Sequence, residues 1–390
     1  MKPKNEYREH FYQTIRLLSI IMKSMGIFTL QNATAKNGNL LYHKTINLTI
    51  LWFSLLQIIN FNTMIQPPQR NAIFMAQASS HFLKSFIACA IIVLRTEKLF
   101  LKAIKDIESF DDEFLGDPAI GSERRGIMWL YKFVTLFSLH LFLSYMLGGL
   151  GFFVIWHCVI NVTAKTSISV MFLIIQEELI HRYNYLTKFW NIRVEKAQGF
   201  SKEILIEKLR TSHGKLGIIL QEVNNSCGLR VIILFFSSVF EILLFYHNPE
   251  NMHDTLNNRR VKILQSLYYT SEFLLSFIVL TSAARLSTKT REILRCFRTA
   301  SINGVLPYCK QQMIFLSTQV YVKQAKVTAG GFFDLNRSVA ISMLLTGATY
   351  LLLCYQSRFE IANMLDAYGN FLNDFSIKKG KIIEMITPDL

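Results

Sequence analysis

A chain of 390 residues in which 51% are hydrophobic and only 18% charged is not an ordinary soluble domain, where roughly 25% of residues carry charge. Its formal net charge of +15 would point to nucleic acid in a soluble protein. Here the basic residues gather in segments between apolar runs of bilayer-spanning length, so the partner they imply is a lipid bilayer with anionic headgroups.

From the amino end, Phe11, Ile15, Leu18, Met22 and Met25 recur at helical spacing over 11–28, which predicts an amphipathic helix lying on the membrane surface. No segment has the form of a cleavable signal peptide, so the first span is expected to act as its own signal. Apolar spans are predicted at 46–65, 72–94, 127–156, 166–181, 228–246, 263–284 and 338–357. The third is overlong and is trimmed by Gly148, Gly149 and Gly151; the fourth just crosses the core and continues beyond Glu177, Glu178 and His181 as a helix in water.

Lys and Arg outside these spans alternate without exception, with 30 in the first, third, fifth and seventh segments against 9 in the others. Cytoplasmic segments carry that excess. The fold class expected is therefore an all-α integral membrane protein of seven transmembrane helices, amino end cytoplasmic and carboxyl end extracellular. This direction is opposite to that of receptors coupled to G proteins. The expected organisation is a cytoplasmic segment 1–45, spans and ligand cavity over 46–284, a cytoplasmic anchor segment 285–337, the last span 338–357 and an extracellular tail 358–390. Residues 95–114, 181–223 and 310–326 repeat apolar side chains at helical spacing. They are read as cytoplasmic helix extensions packing on one another, with a break at His213-Gly214. A loop at 157–165 holds the sequon Asn161-Val162-Thr163, a candidate glycosylation site on an external face.

The last span follows a break at Gly330-Gly331, with Asp334 placed to cap its first turn. Ser342, Thr346, Thr349, Leu353 and Gln356 fall on one face. Two readings fit that stripe: a pore lining that gates through its aliphatic ring, or close helix packing through small polar residues.

Thr349-Tyr350, the mostly apolar run Leu351–Tyr355, and Gln356 resemble the signature of the insect gustatory receptors: Thr-Tyr, five hydrophobic positions, Gln-Phe. The stretch 331–338, Gly-Phe-Phe-Asp-Leu-Asn-Arg-Ser, is similar to the one that opens the same helix in that family. The resemblance implies a tetrameric ligand-gated cation channel in a sensory-cell plasma membrane. Its last helices line one pore, its cytoplasmic extensions hold the tetramer, whether of identical or related subunits, and each subunit binds a small tastant between helices in the outer half of the membrane. It places Gln356 and Ser357 near the gate, and Ser357 departs from the family's Phe. The related odorant receptors usually lack the Thr-Tyr run.

For the ligand, ionisable and aromatic side chains within the spans are the candidates: Gln77 and His81 in the second, Tyr145 in the third, Phe172 in the fourth, Glu241 in the fifth, and Tyr268, Tyr269 and Glu272 in the sixth. No catalytic motif, no metal-ligand spacing and no cofactor signature appears. The six cysteines, Cys89, Cys158, Cys227, Cys296, Cys309 and Cys354, are scattered. A secondary transporter would carry broken helices paired between its two halves, and the break at Gly330-Gly331 has no matching partner.

Overall fold

The computed structural model describes residues 18–20, 23, 55, 97–114, 134–135, 138, 142, 152–247, 256–299, 307–322, 326–339, 341–350, 352–353 and 356. Within the long helices, side chains are described chiefly over 166–228 and 274–296. The predicted span 46–65 apart from Leu55, the span 72–94, most of 127–156 and the tail 358–390 lie outside these residues.

Five helices and a last, partly described one account for almost all of the rest. They are α1 (Glu97–Phe114), α2 (Phe152–Phe189), α3 (Gly199–His247), α4 (Leu256–Thr299) and α5 (Pro307–Val322). The last helix is described over 337–339 and 341–350, with helical residues at 352, 353 and 356. Among the described residues no helix is long and apolar enough to cross a membrane.

The expected extensions are helices, and they pack together. In α1, Phe100, Ala103, Ile104, Ile107, Phe110 and Phe114 are buried, while Lys102 and Lys105 are exposed, as an apolar stripe at i, i+3 and i+4 requires. That stripe lies on α3, and α2 lies on α4. One continuous core runs from Phe100 through Leu179, Trp190, Leu209, Leu216 and Leu286 to Leu316 and Leu335. Leu18 and Ser19 are buried too, so this part of the predicted surface-lying helix is packed inward instead of resting on headgroups.

Two ionic layers fix α1 in place. Arg182, on α2, donates through Nε to Asp111 of α1 at 2.8 Å and through Nη1 to Glu178 at 2.9 Å. Burial alone would lower this guanidinium; Asp111 and Glu178 outweigh it and hold it charged, above its ordinary range. Lys102 pairs with Glu222, and Lys215 with Glu113, joining α1 to α3. Lys208 stands 4.8 Å over the Phe114 ring, which itself stacks on Phe110 at 5.3 Å.

Three local expectations are corrected. Residues 157–165 are helical within α2, not a loop, so the Asn161 sequon lies on a helix, and 152–156 belong to this helix and not to the third span. A single glycine does not break a helix whose neighbours are packed, and α3 runs unbroken through His213-Gly214. The turn that separates α2 from α3 lies further back: a π-helical turn, Trp190–Val194, then Gly199 at φ 59°. Asp334 does not cap the last helix. Its carboxylate accepts from Lys326 Nζ at 2.6 Å, and the Val339 N–H donates instead to Asn336 Oδ1 at 2.9 Å.

Candidate pore helix and its mount

Gly330 and Gly331 adopt φ of 58° and 85°, a left-handed pair that only glycine takes without strain. They form the tip of a tight hairpin over 327–335. The Leu335 N–H donates to Val327 O at 2.8 Å, and the Ala329 N–H to Phe333 O at 2.9 Å. Thr328 and Asp334 form an isolated antiparallel bridge. Val327, Ala329 and Leu335 are buried while Phe332 is exposed at the tip.

Two helices hold this hairpin. Asn224 Nδ2, on α3, donates to the Lys326 carbonyl at 2.7 Å, and the Val327 N–H donates to Ser287 Oγ on α4 at 3.2 Å. One turn beyond Asn224, Gly228 presents bare backbone to the hairpin. A methyl group there would overlap Gly330 N and lie 2.8 Å from Thr328 O and 2.9 Å from Gly330 Cα. The sequence reading did not single out this seat. The signal available was a run of small and polar residues, Asn224-Asn225-Ser226-Cys227-Gly228, at the entry to an apolar span.

Among the described residues, the last helix leaves this mount with little packing against the bundle. Val339, Met343 and Gly347 are half-buried, a seam repeating every fourth residue, and Met343 reaches the core. Ser342, Thr346, Thr349, Leu353 and Gln356 are all exposed. The Thr346 hydroxyl donates to the Ser342 carbonyl at 2.8 Å, a back-bond that keeps this hydroxyl satisfied without a partner helix. The apolar residues Ile341, Leu345 and Leu352 are exposed as well. Ser357 lies outside the described residues.

The candidate ligand residues are placed less completely. Phe172 is buried in the core of α2, among the largest fully enclosed side chains. Glu241 lies on α3, and Tyr268, Tyr269 and Glu272 on α4, with side chains that are not described. Gln77, His81 and Tyr145 lie outside the described residues. Among the described residues no cluster of His, Cys, Asp or Glu could hold a metal ion.

No curated protein matches the chain. The structure resembles that of the insect olfactory receptor OR5 from Machilis hrabei, solved in complex with eugenol, with a TM-score of 0.60. The two share 15% identity over 90% of this chain and all of that one, which establishes a common seven-helix fold. The family model described as the 7tm chemosensory receptor matches residues 15–361, nearly the whole chain. This protein therefore belongs to the 7tm chemosensory receptor family, whose members are multi-pass membrane proteins.

Proposed function

We propose that the chain is a gustatory receptor subunit: a ligand-gated, non-selective cation channel opened by taste compounds. The observation that carries this reading is the stripe Ser342, Thr346, Thr349, Leu353 and Gln356, exposed along one face of a helix that the chain's own packing leaves bare. Hydroxyls and an amide on such a face suit a water-filled path, and Leu353 supplies an aliphatic ring that closes by dewetting. With Ser357 in place of the family's Phe, closure falls to Leu353 and its apolar neighbours.

A pore needs several copies of this helix. The apolar residues Tyr308, Phe315 and Tyr321 of α5 are exposed and offer a contact to further subunits, identical or related, in a tetramer. Alternation of Lys and Arg supports an amino end inside the cell. The sequence divides accordingly at 45, 284, 337 and 357 into cytoplasmic start, spans, anchor, pore helix and external tail. The helical placement of 157–165 within α2 removes one basic residue, Lys165, from the outer connections and leaves that asymmetry intact. On this topology Asn161 lies toward the outer end of α2, the plasma membrane of a sensory neuron is the site of action, and the tastant enters between α3, α4 and their neighbours. There Glu241, Glu272, Tyr268, Tyr269, Tyr145, Phe172, Gln77 and His81 are the contacts to test. Binding shifts a closed–open equilibrium by stabilising the arrangement in which the last helix swings outward. The odorant alternative is weakened by the Thr349-Tyr350…Gln356 run.

Whole-cell recording of the chain expressed alone, against a panel of bitter compounds and sugars, tests the reading. Gln356→Ala is expected to change conductance or gating in any current obtained. Tastant-evoked currents identical to those of the unaltered chain would remove the last helix from the pore.

A further inference from the structure

We infer that Gly228, with Asn224 and Ser287, forms the seat through which α3 and α4 set the position of the last helix, Gly228 being the point at which movement of α3 is passed on. This rests on the reading of the last helix as pore lining.

Three observations converge. The contact at Gly228 is backbone against backbone, since a methyl group has no room between Gly228 and the hairpin atoms Thr328 O and Gly330 Cα. No flexible side chain lies between them to absorb a shift, and close-packed contacts transmit displacement instead of damping it. Second, the hairpin is stiff. Its strands are cross-bonded between Leu335 and Val327 and between Ala329 and Phe333, and it is tied at one end to Asn224 and Ser287. Third, buried Leu335 is followed directly by Asn336, which caps the last helix. The helix beyond touches the core through a thin seam, so among the described residues the hairpin is its main attachment. Glu241, on the same unbroken helix as Gly228, is 13 residues along, about 20 Å at 1.5 Å per residue. A rigid rod therefore joins the ligand candidate to the seat.

The same helix supplies its own control. An added Cβ at Gly217 meets nothing within 4 Å. Gly228→Ala and Gly217→Ala thus make the same chemical change in one helix and differ in the contact. Each is combined with Ser342→Cys in the full-length chain at the cell surface. The rate of labelling at position 342 by a cationic methanethiosulfonate reagent is read by mass spectrometry, alongside hydrogen exchange of the 326–335 amides. Gly228→Ala is expected to speed exchange in the hairpin and to change the labelling rate by about fivefold or more, the scale of an ordinary coupling between sites. Gly217→Ala should change neither. Should Gly228→Ala fail to reach the surface, Asn224→Ala and Ser287→Ala each remove one bond to the hairpin and should move both readouts in smaller measure. Faster hairpin exchange with unaltered labelling at 342 would make the seat merely structural and overturn the inference. So would equal labelling in all these variants. Failure of the pore reading is distinguished by current. If modification of the Ser342→Cys chain at position 342 leaves the current of the expressed channel untouched while labelling still follows Gly228, the seat stands and the pore assignment falls.

Discussion

The bundle of α1 to α5 and the last helix are built on opposite plans. At the centre of the bundle leucine is enclosed: Leu209 is 0% exposed. In the last helix Leu345 is 63% exposed. The bundle carries buried ion pairs and stacked aromatics, whereas the described residues of the last helix include an intrahelical hydroxyl bond, Thr346 to Ser342, and a seam of three half-buried residues. The difference teaches that the chain folds around its support and presents its last helix to something else, lipid or further subunits. The two regions should answer mutation differently, one in stability and the other in function.

The largest effect is expected at Arg182. Breaking a buried ion pair by removing one partner costs about 3–5 kcal/mol, because the other charges are left enclosed. Arg182→Ala leaves Asp111 and Glu178 without their shared cation. Thermal unfolding of the detergent-purified protein should lose most of its cooperative transition. A melt matching the unaltered chain would mean that these carboxylates are hydrated and that the bundle is looser than its packing implies.

A matched pair of leucines sharpens the comparison further. Leu209→Ala removes an enclosed side chain, and such changes cost about 2–5 kcal/mol. Leu345→Ala removes an exposed one and should leave the melt of the monomer within about 0.5 kcal/mol. Its effect should appear in subunit assembly, read by native mass spectrometry, or in current. Equal destabilisation by both would erase the distinction between support and presented helix.

How far the sequence made this distinction legible depends on the kind of signal. Apolar spacing alone points to packing helices at 95–114, 181–223 and 310–326, because an amphipathic stripe is written in consecutive residues, but not to the interruption before Gly199 or to the last of these helices ending at Val322. The Gly330-Gly331 break was equally visible, since two adjacent glycines ahead of a charge-poor run have few other uses. Gly214 misled, because a lone glycine gives no sign of whether tertiary packing holds its helix together. Asp334 misled for a related reason. It sits where a cap belongs, but Lys326, eight residues earlier in sequence, takes its carboxylate once the hairpin folds. The seat at Gly228 was not legible at all, because the reason for the missing side chain lies about a hundred residues away at Gly330. The Asn161 sequon is visible as three residues, and the helix on which it lies could not be foreseen from them.

A smaller effect is expected from pH, and it belongs to the bundle alone. His213 of α3 is buried, with Nε2 3.1 Å from the Thr290 carbonyl and its ring 5.5 Å from that of Tyr183. A carbonyl only accepts, so Nε2 carries the proton in the neutral ring. Burial pushes this imidazole below its ordinary 6.5, with the Thr290 carbonyl opposing in part. The unfolded chain then binds a proton that the folded chain refuses, and stability rises with pH wherever the unfolded state binds more protons. The contribution is complete above 6.5 and is lost as pH falls below that value toward the folded pKa. Glu222, raised by burial against the opposing pull of Lys102, slopes the other way as pH rises above 4.5. Melting temperatures of His213→Leu and the unaltered chain, compared between neutral and mildly acid pH, isolate the histidine. The unaltered chain should lose ground on acidification and the variant should lose less.

The smallest expected effect tests whether α3 is uninterrupted on the amino side of the seat. Glycine inside a helix costs up to about 1 kcal/mol relative to alanine. At Gly217 an added methyl group meets open space, so Gly217→Ala should raise the melt by that order. At Gly214 the methyl group would come within 2.9 Å of Gln319 Nε2, the far end of a flexible side chain on α5. Gln319 would turn aside and give up its 3.4 Å bond to the Arg210 carbonyl, so Gly214→Ala should gain less. This ordering holds only if both glycines sit in regular helix. Were α3 to bend at Gly214 as part of gating, alanine there would slow the channel while stabilising the fold, and the joint would lie on the amino side of the seat, leaving the stretch from Gly228 to Glu241 straight.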